Sequence, residues 1–259
     1  LKPDLNTNTK GRSATGGPFV LRGAGAQGAM ALEQFGEDIW YANGPTVVSA
    51  GFRYPTRMAV MRLQSGGLFA WSPVALTPEL RAAVDALGEV HFLVTPTKMH
   101  HLSLTAWRTA YPGAVLYAAP GSRQRTIDIG FDEDLADAPA PGWAGQIDQV
   151  IMRENAIAEE VVFFHRKSGT VLFADLLQNF PHGWFGGLQA LIARADGMVG
   201  TEARTPNKFR LAFTDRKAAR ASVERILAWP AEKVLMAHGT PVQADGSAYL
   251  QRAFAWLTG

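Results

Sequence analysis

Hydrophobic and polar positions change period several times along this chain, and each change marks an element. Ile39-Trp40-Tyr41-Ala42 reads as a strand, Asn43-Gly44-Pro45 as its turn and Thr46-Val47-Val48 as a second strand. Arg57 to Leu63 and Gly67 to Trp71 read as strands about the turn Gln64-Ser65-Gly66. The pattern then becomes helical. Thr77 suits an N-cap, Pro78 the first helical position, and Gly88 closes a helix over Glu79 to Leu87. A strand over 91–95, a helix over 102–110 stopped by Pro112-Gly113, and a strand over 115–118 follow. Residues 131–149 are acidic and carry Pro139, Pro141 and Gly142, which predicts a long surface loop. Strands are expected at 149–152, 161–165 and 170–174, the last two about Lys167-Ser168-Gly169. Helices over 188–195, 215–229 and 247–257 complete the pattern, with Thr214 as the N-cap of the second, and a strand over 233–237 precedes the last.

This order, strands and helices and then strands and helices again, predicts an α/β fold of two similar halves packed sheet on sheet, with helices outside. Residues 1–30 are rich in Gly, Ala, Asn and Thr and poor in large apolar groups. They read as a flexible lead-in or an expression remnant, which places the domain at 31–259.

Composition narrows the function classes. The 259 residues are 47% hydrophobic and 19% charged, as in an ordinary globular protein. A formal charge of +2 with no run of Lys or Arg gives no support to nucleic-acid binding. No apolar run approaches the roughly 18 residues of a membrane span. The expectation is a soluble, cytoplasmic protein with a small-molecule substrate and no nucleic-acid or membrane partner; its oligomeric state is left open. With no cysteine, disulfides and thiolate chemistry are excluded, and any metal must be held by His, Asp or Glu.

Three short apolar runs end in such residues. His91-Phe92-Leu93-Val94 leads to His100-His101, Thr170 to Ala174 leads to Asp175, and Lys233 to Ala237 leads to His238. Ligands of α/β sheets bind at the carboxyl ends of strands, so these ends meeting at one rim would gather His100, His101, Asp175 and His238. Three imidazoles and a carboxylate suit zinc, and also iron, cobalt or manganese. Such an ion lowers the pKa of bound water to about 7 and polarises a carbonyl or phosphoryl oxygen.

On these residues the chain, over about 33–258, resembles a divergent member of the metallo-β-lactamase superfamily. That resemblance implies an αββα sandwich. The family motif His-x-His-x-Asp-His falls on Pro96-Thr97-Lys98-Met99-His100-His101, so both leading histidines are replaced and His100 stands where the aspartate is expected. The next family histidine is expected just before strand 161–164, but Met152 to Glu160 contains none; Asp175 matches the bridging aspartate and His238 the final histidine. Trp71-Ser72-Pro73-Val74 lies where the family has Asp-Thr-Gly. The losses remove the first metal site of the usual pair. The implied centre therefore holds one divalent metal, zinc foremost, on His100, His101, Asp175 and His238. Lys98 is expected to project toward the vacated site and stabilise an oxyanion or an anionic substrate group.

The implied activity is hydrolysis of an ester, lactone, amide or phosphoester by a single metal-bound hydroxide, with Lys98 and Asp175 in catalytic roles. Tyr54 and Trp184 are candidate substrate contacts. The former lies in the polar cluster Arg53-Tyr54-Arg57, the latter beside Phe185 and His182. His165 reads as a surface residue and His91 as structural. Two rival readings stand beside the hydrolase: a metal-free pseudoenzyme or binding module using the same cleft, and a mononuclear-iron oxidoreductase.

Overall fold

The structure, a computed structural model, describes residues 20–21, 31–202 and 204–259. Most of the expected lead-in therefore lies outside the described residues. Within it, Val20–Leu21 (β1) pairs antiparallel with Val47 and Val48. The chain continues as β2 (Glu33–Gly36), β3 (Ile39–Ser49), β4 (Phe52–Arg62), β5 (Leu68–Trp71), α1 (Pro78–Asp85), β6 (Val90–Val94), α2 (Leu104–Ala110), β7 (Val115–Ala118), α3 (Ser122–Arg125) and β8 (Glu133–Asp134). The second half holds β9 (Ile147–Met152), β10 (Glu160–His165), β11 (Thr170–Phe173), α4 (Gly187–Ala195), α5 (Asn207–Ala212), α6 (Arg216–Leu227), β12 (Lys233–Met236) and α7 (Gly246–Thr258).

Two mixed sheets result. The first runs β1-β3-β4-β5-β6-β7-β8 with β2 also on β3; the second runs β12-β11-β10-β9. Period-two alternation sorts their side chains into layers. Ala59 and Met61 of β4 face inward with Phe69 and Trp71, against Phe163, Leu172 and Leu235 of the second sheet. Met58 and Val60, the alternate positions, face outward onto Leu80 and Val84 of α1 and Leu104 and Trp107 of α2. The outer face of the second sheet, with Val162, Val171 and Val234, packs on Val223 and Ile226 of α6 and Leu250 and Phe254 of α7. The αββα sandwich is therefore present, each buried apolar side chain stabilising it by about 1.5–3 kcal/mol.

Local differences from expectation have physical causes. Asn43-Gly44-Pro45 is not a turn: β3 runs through it, paired with β4 on both sides, and the register shifts between Gly44 and Val47. Proline donates nothing to a ladder, so it is accommodated at this bulge. The turn comes at Ala50-Gly51, both at positive φ (47° and 83°), as two-residue hairpins require. The N-cap of α6 is Asp215, whose carboxylate accepts from the N–H groups of Lys217 and Ala218, and not Thr214.

The stretch 131–149 is more than a surface loop. It adds β8 to the sheet edge and buries Trp143 completely. That indole packs edge-on against Phe69, Phe92 and Tyr117 at 4.7–5.0 Å between centroids and donates to Gln149 Oε1 at 3.1 Å. Gly142 is needed before it, because a Cβ there would lie 2.3 Å from Phe92 Cζ.

His165, expected at the surface, is only 2% exposed, with Nδ1 2.8 Å from Ser168 Oγ. Burial pushes its pKa down from 6.5 to about 4, opposed by the charges of Asp38 and Glu37. The unfolded chain thus binds the proton more readily, and stability is lost as pH falls through that window, by at most about 3 kcal/mol. Urea unfolding of wild type and His165→Gln at pH 7 and pH 4.5 checks this. The variant is expected to lose less stability on acidification, and equal losses contradict the account.

Candidate metal centre

Strand register places the ligands. β11 and β12 are parallel, with Phe173 opposite Met236, so Asp175 and His238 lie two residues past the same rung at the carboxyl edge of the second sheet. The third group arrives from the first sheet. After Val94 the chain winds into a turn in which Thr95 Oγ1 lies 2.8 Å from the Thr97 carbonyl and 2.9 Å from that of His100, and the N–H of His100 reaches the Thr97 carbonyl. A bridge between Thr97 and Glu160, with Val161 N–H donating to the Pro96 carbonyl, ties this turn to β10.

His100, Asp175 and His238 converge, their ligand atoms all within 4.8 Å of one another. His100 Nε2 is 3.5 Å from Asp175 Oδ2, and His238 Nε2 is 3.4 Å from Asp175 Oδ1. The far side of each ring is committed. His238 Nδ1 lies 2.6 Å from the Pro55 carbonyl, which only accepts, so this nitrogen carries the proton. His100 Nδ1 lies 2.7 Å from Ser72 Oγ, whose own proton goes to the Arg57 carbonyl at 3.1 Å. Ser72 therefore accepts from His100. Both imidazoles direct Nε2 at one carboxylate, the arrangement by which outer hydrogen bonds orient histidine ligands.

The carboxylate is equally constrained. Asp175 is 5% exposed and its Oδ2 accepts from the Thr97 hydroxyl at 2.8 Å. Burial alone raises its pKa, but His100 and then His238 outweigh this and hold it well below the usual carboxylate range. Its backbone is set by Glu160, fully buried, whose carboxylate accepts from the N–H groups of Ala174, Asp175 and Leu176 at 2.6–2.8 Å. Burial, then the charge of Asp175, pushes Glu160 up to about 7 against those three donors.

The loop of His238 is clamped likewise. The buried Arg57 guanidinium donates to the carbonyls of Met236 (2.5 Å) and Gly239 (2.7 Å). Gly239 leaves room for Asn179, whose Oδ1 a Cβ would approach to 2.0 Å.

Residues 37–190 match the model of a family described as a domain of unknown function, DUF4336. The chain belongs to the DUF4336 family. No curated protein matches its sequence. Among solved structures, it is similar to the metallo-β-lactamase FIM-1 from Pseudomonas aeruginosa in its mono-zinc form, at 14% identity and a TM-score of 0.58, over 88% of this chain and 94% of that one. A metallo-β-lactamase from Hirschia baltica aligns at 12% identity and a TM-score of 0.58, over 88% and 97%. A metal-soaked flavodiiron core, Flv1 from Synechocystis sp. PCC6803, aligns at 9% identity and a TM-score of 0.60, over 88% of this chain and 60% of that one. The fold is thus that of the metallo-β-lactamases. The family match spans His100 and Asp175 and ends before His238.

Of the expected site residues in this DUF4336 chain, His100, Asp175 and His238 come together. His101 does not join them: the turn directs its ring elsewhere, with Nδ1 on the Lys98 carbonyl at 3.0 Å, and burial lowers its pKa. Lys98 is also displaced from its expected place. It lines a separate depression with Gly121, Glu154, Glu159 and Thr214. Trp184 packs on Phe180 and donates to the Arg53 carbonyl, away from the cavity over the triad, whereas Tyr54 lines that cavity.

Sequence reasoning missed Ser72, Thr97 and Glu160. The signal for Glu160 was available, the second of two glutamates, Glu159-Glu160, directly heading the apolar run Val161-Val162-Phe163-Phe164. Ser72 carried no such mark; its φ of 52° and its buried hydroxyl become visible only in the fold. Ser72→Ala removes the acceptor that orients His100. It is expected to weaken divalent metal binding about 10- to 100-fold, read by competition with a chromogenic chelator, without loss of circular-dichroism signal. Unchanged affinity contradicts this role.

Proposed function

We propose that this protein is a hydrolase working with one divalent ion, zinc foremost, held by His100, Asp175 and His238. The observation that carries this reading is the pair of imidazoles whose Nδ1–H groups are fixed by Ser72 and Pro55, which turns both Nε2 atoms on Asp175. Two nitrogens and one oxygen form the three-ligand set of catalytic zinc sites, which keep a position open for water or substrate. When bound, such an ion supplies activation of water and polarisation of a carbonyl or phosphoryl oxygen.

The rest falls to the chain's own residues. Asp175, kept ionised by its neighbours, contributes the negative charge that holds a dication. The triad opens into a cavity of about 250 Å³ whose walls include Val47, Val74, Met99 and Phe209. These apolar walls exclude bulk water and strengthen electrostatic interactions at its base. An ester, lactone, amide or phosphoester bond placed there meets the ligand edge of the triad.

Elemental analysis of purified protein, after zinc reconstitution and dialysis, tests the reading together with hydrolysis of a neutral ester. Wild type and His101→Ala are expected to retain one equivalent of metal; His100→Ala and His238→Ala are expected to lose both metal and hydrolysis. Wild type that binds no metal contradicts the proposal and favours a metal-free binding module. Iron in place of zinc, with no ester hydrolysis, favours oxidoreductase chemistry.

A further inference from the structure

The cavity over the triad carries a second chemical feature. Lys208, on α5, is the one Lys or Arg among its described lining residues. Its Nζ donates to the Tyr54 hydroxyl at 3.0 Å and lies 5.5 Å from the centroids of both the Tyr54 and Phe209 rings. Asp196 Oδ2 is 3.6 Å away, which engages a second N–H of the ammonium only at long range. The third N–H of the ammonium meets only Met198 Sδ, a weak acceptor at 3.9 Å, which a ligand oxygen displaces. The Tyr54 ring meets the His238 ring edge-on, 5.4 Å between centroids. Tyr54 thus spans the distance between a metal-ligand candidate at the base and the cation on the wall.

Most of the remaining lining is apolar. Val47, Val74, Met99 and Phe209 form the walls, and Leu102 and Ile157, 39% and 36% exposed, extend the apolar surface to the mouth. A lysine flanked by aromatic rings in an apolar cavity favours a ligand with a large apolar body and a single negative charge.

We infer that the cavity selects an apolar monoanion, a carboxylate on an acyl or aryl body, with the carboxylate on Lys208 and the Tyr54 hydroxyl and the scissile group one tyrosine ring away, toward the triad. This deepens the proposed function and rests on its assignment of the cavity as the substrate site. Lys208 acts here as a specificity determinant, choosing which substrates are held, while the triad carries the chemistry.

Isothermal titration of the purified full chain with octanoate and with 1-octanol, matched in length and differing in charge, tests this without turnover. It is run both metal-loaded and after chelation. Wild type is expected to bind octanoate at least about ten-fold more tightly than octanol in both states. In Lys208→Met the ratio is expected to fall to about one with octanol affinity unchanged, and Lys208→Arg is expected to retain the preference. Unchanged octanol binding shows that the variant is folded. A preference that survives in Lys208→Met, one that disappears on chelation, or no binding of octanoate to wild type overturns the inference. Such a result leaves the hydrolase reading to its own metal and neutral-ester assay. A protein that discriminates octanoate but holds no metal loses the hydrolase reading alone.

Discussion

The centre of this molecule depends on where two protons are held. His100 and His238 each have two ring nitrogens, and only a fixed Nδ1 proton and ring angle turns both Nε2 atoms on one carboxylate. The fold supplies this by placing acceptors behind the rings: the Ser72 hydroxyl, itself committed to the Arg57 carbonyl, and the Pro55 carbonyl. These acceptors come from the carboxyl-terminal side of β5 and from β4, in the first sheet, whereas Asp175 and His238 follow strands of the second. The triad is consequently a product of the sandwich and not of any local motif. Displacing one sheet along the other would separate His238 from Pro55 and His100 from Asp175 before it disturbed either sheet.

The same region concentrates buried polar groups that need compensation. Glu160 and Asp175 are neighbouring buried carboxyl groups, and each is satisfied differently. Glu160 accepts three backbone N–H groups and shapes the loop. Asp175 faces the imidazoles and the Thr97 hydroxyl. Removing a partner from such a network costs more than the network contributes net, since it strands a buried charge. A bound dication also stabilises the folded state by mass action, about 4 kcal/mol at a thousand times its dissociation constant. Metal binding as proposed would couple to folding through Asp175.

Much of the fold was legible because it rests on periodicity. Strands β5, β6, β7, β10, β11 and β12 alternate or run apolar, and α1 is bounded by Thr77 and Gly88. What was illegible depended on partners far along the chain. Asn43-Gly44-Pro45 has the composition of a turn, yet pairing with β4 on both sides makes it a bulge. The loop around Trp143 looked solvated because its prolines and acids conceal one large apolar anchor. For the site, three of the four expected ligands converge because strand ends fix them. His101 and Lys98 fall outside because side-chain direction within a tight turn cannot be read from spacing. Lys208 was invisible for a related reason: α5 is short and carries no strong helical pattern, and its nearness to Tyr54 is purely tertiary.

The central claim concerns two tautomers and one ion, and nitrogen-15 correlation spectra of the imidazoles, recorded at pH 7.5 during a zinc titration, report both. His100 and His238 are predicted to carry a proton on Nδ1 both before and after zinc is added. Their Nε2 resonances are predicted to shift up to one equivalent of zinc and no further, with His101 unaffected. Loss of the Nδ1 proton of either residue, a response from His101, or continued shifts to a second equivalent would contradict the account.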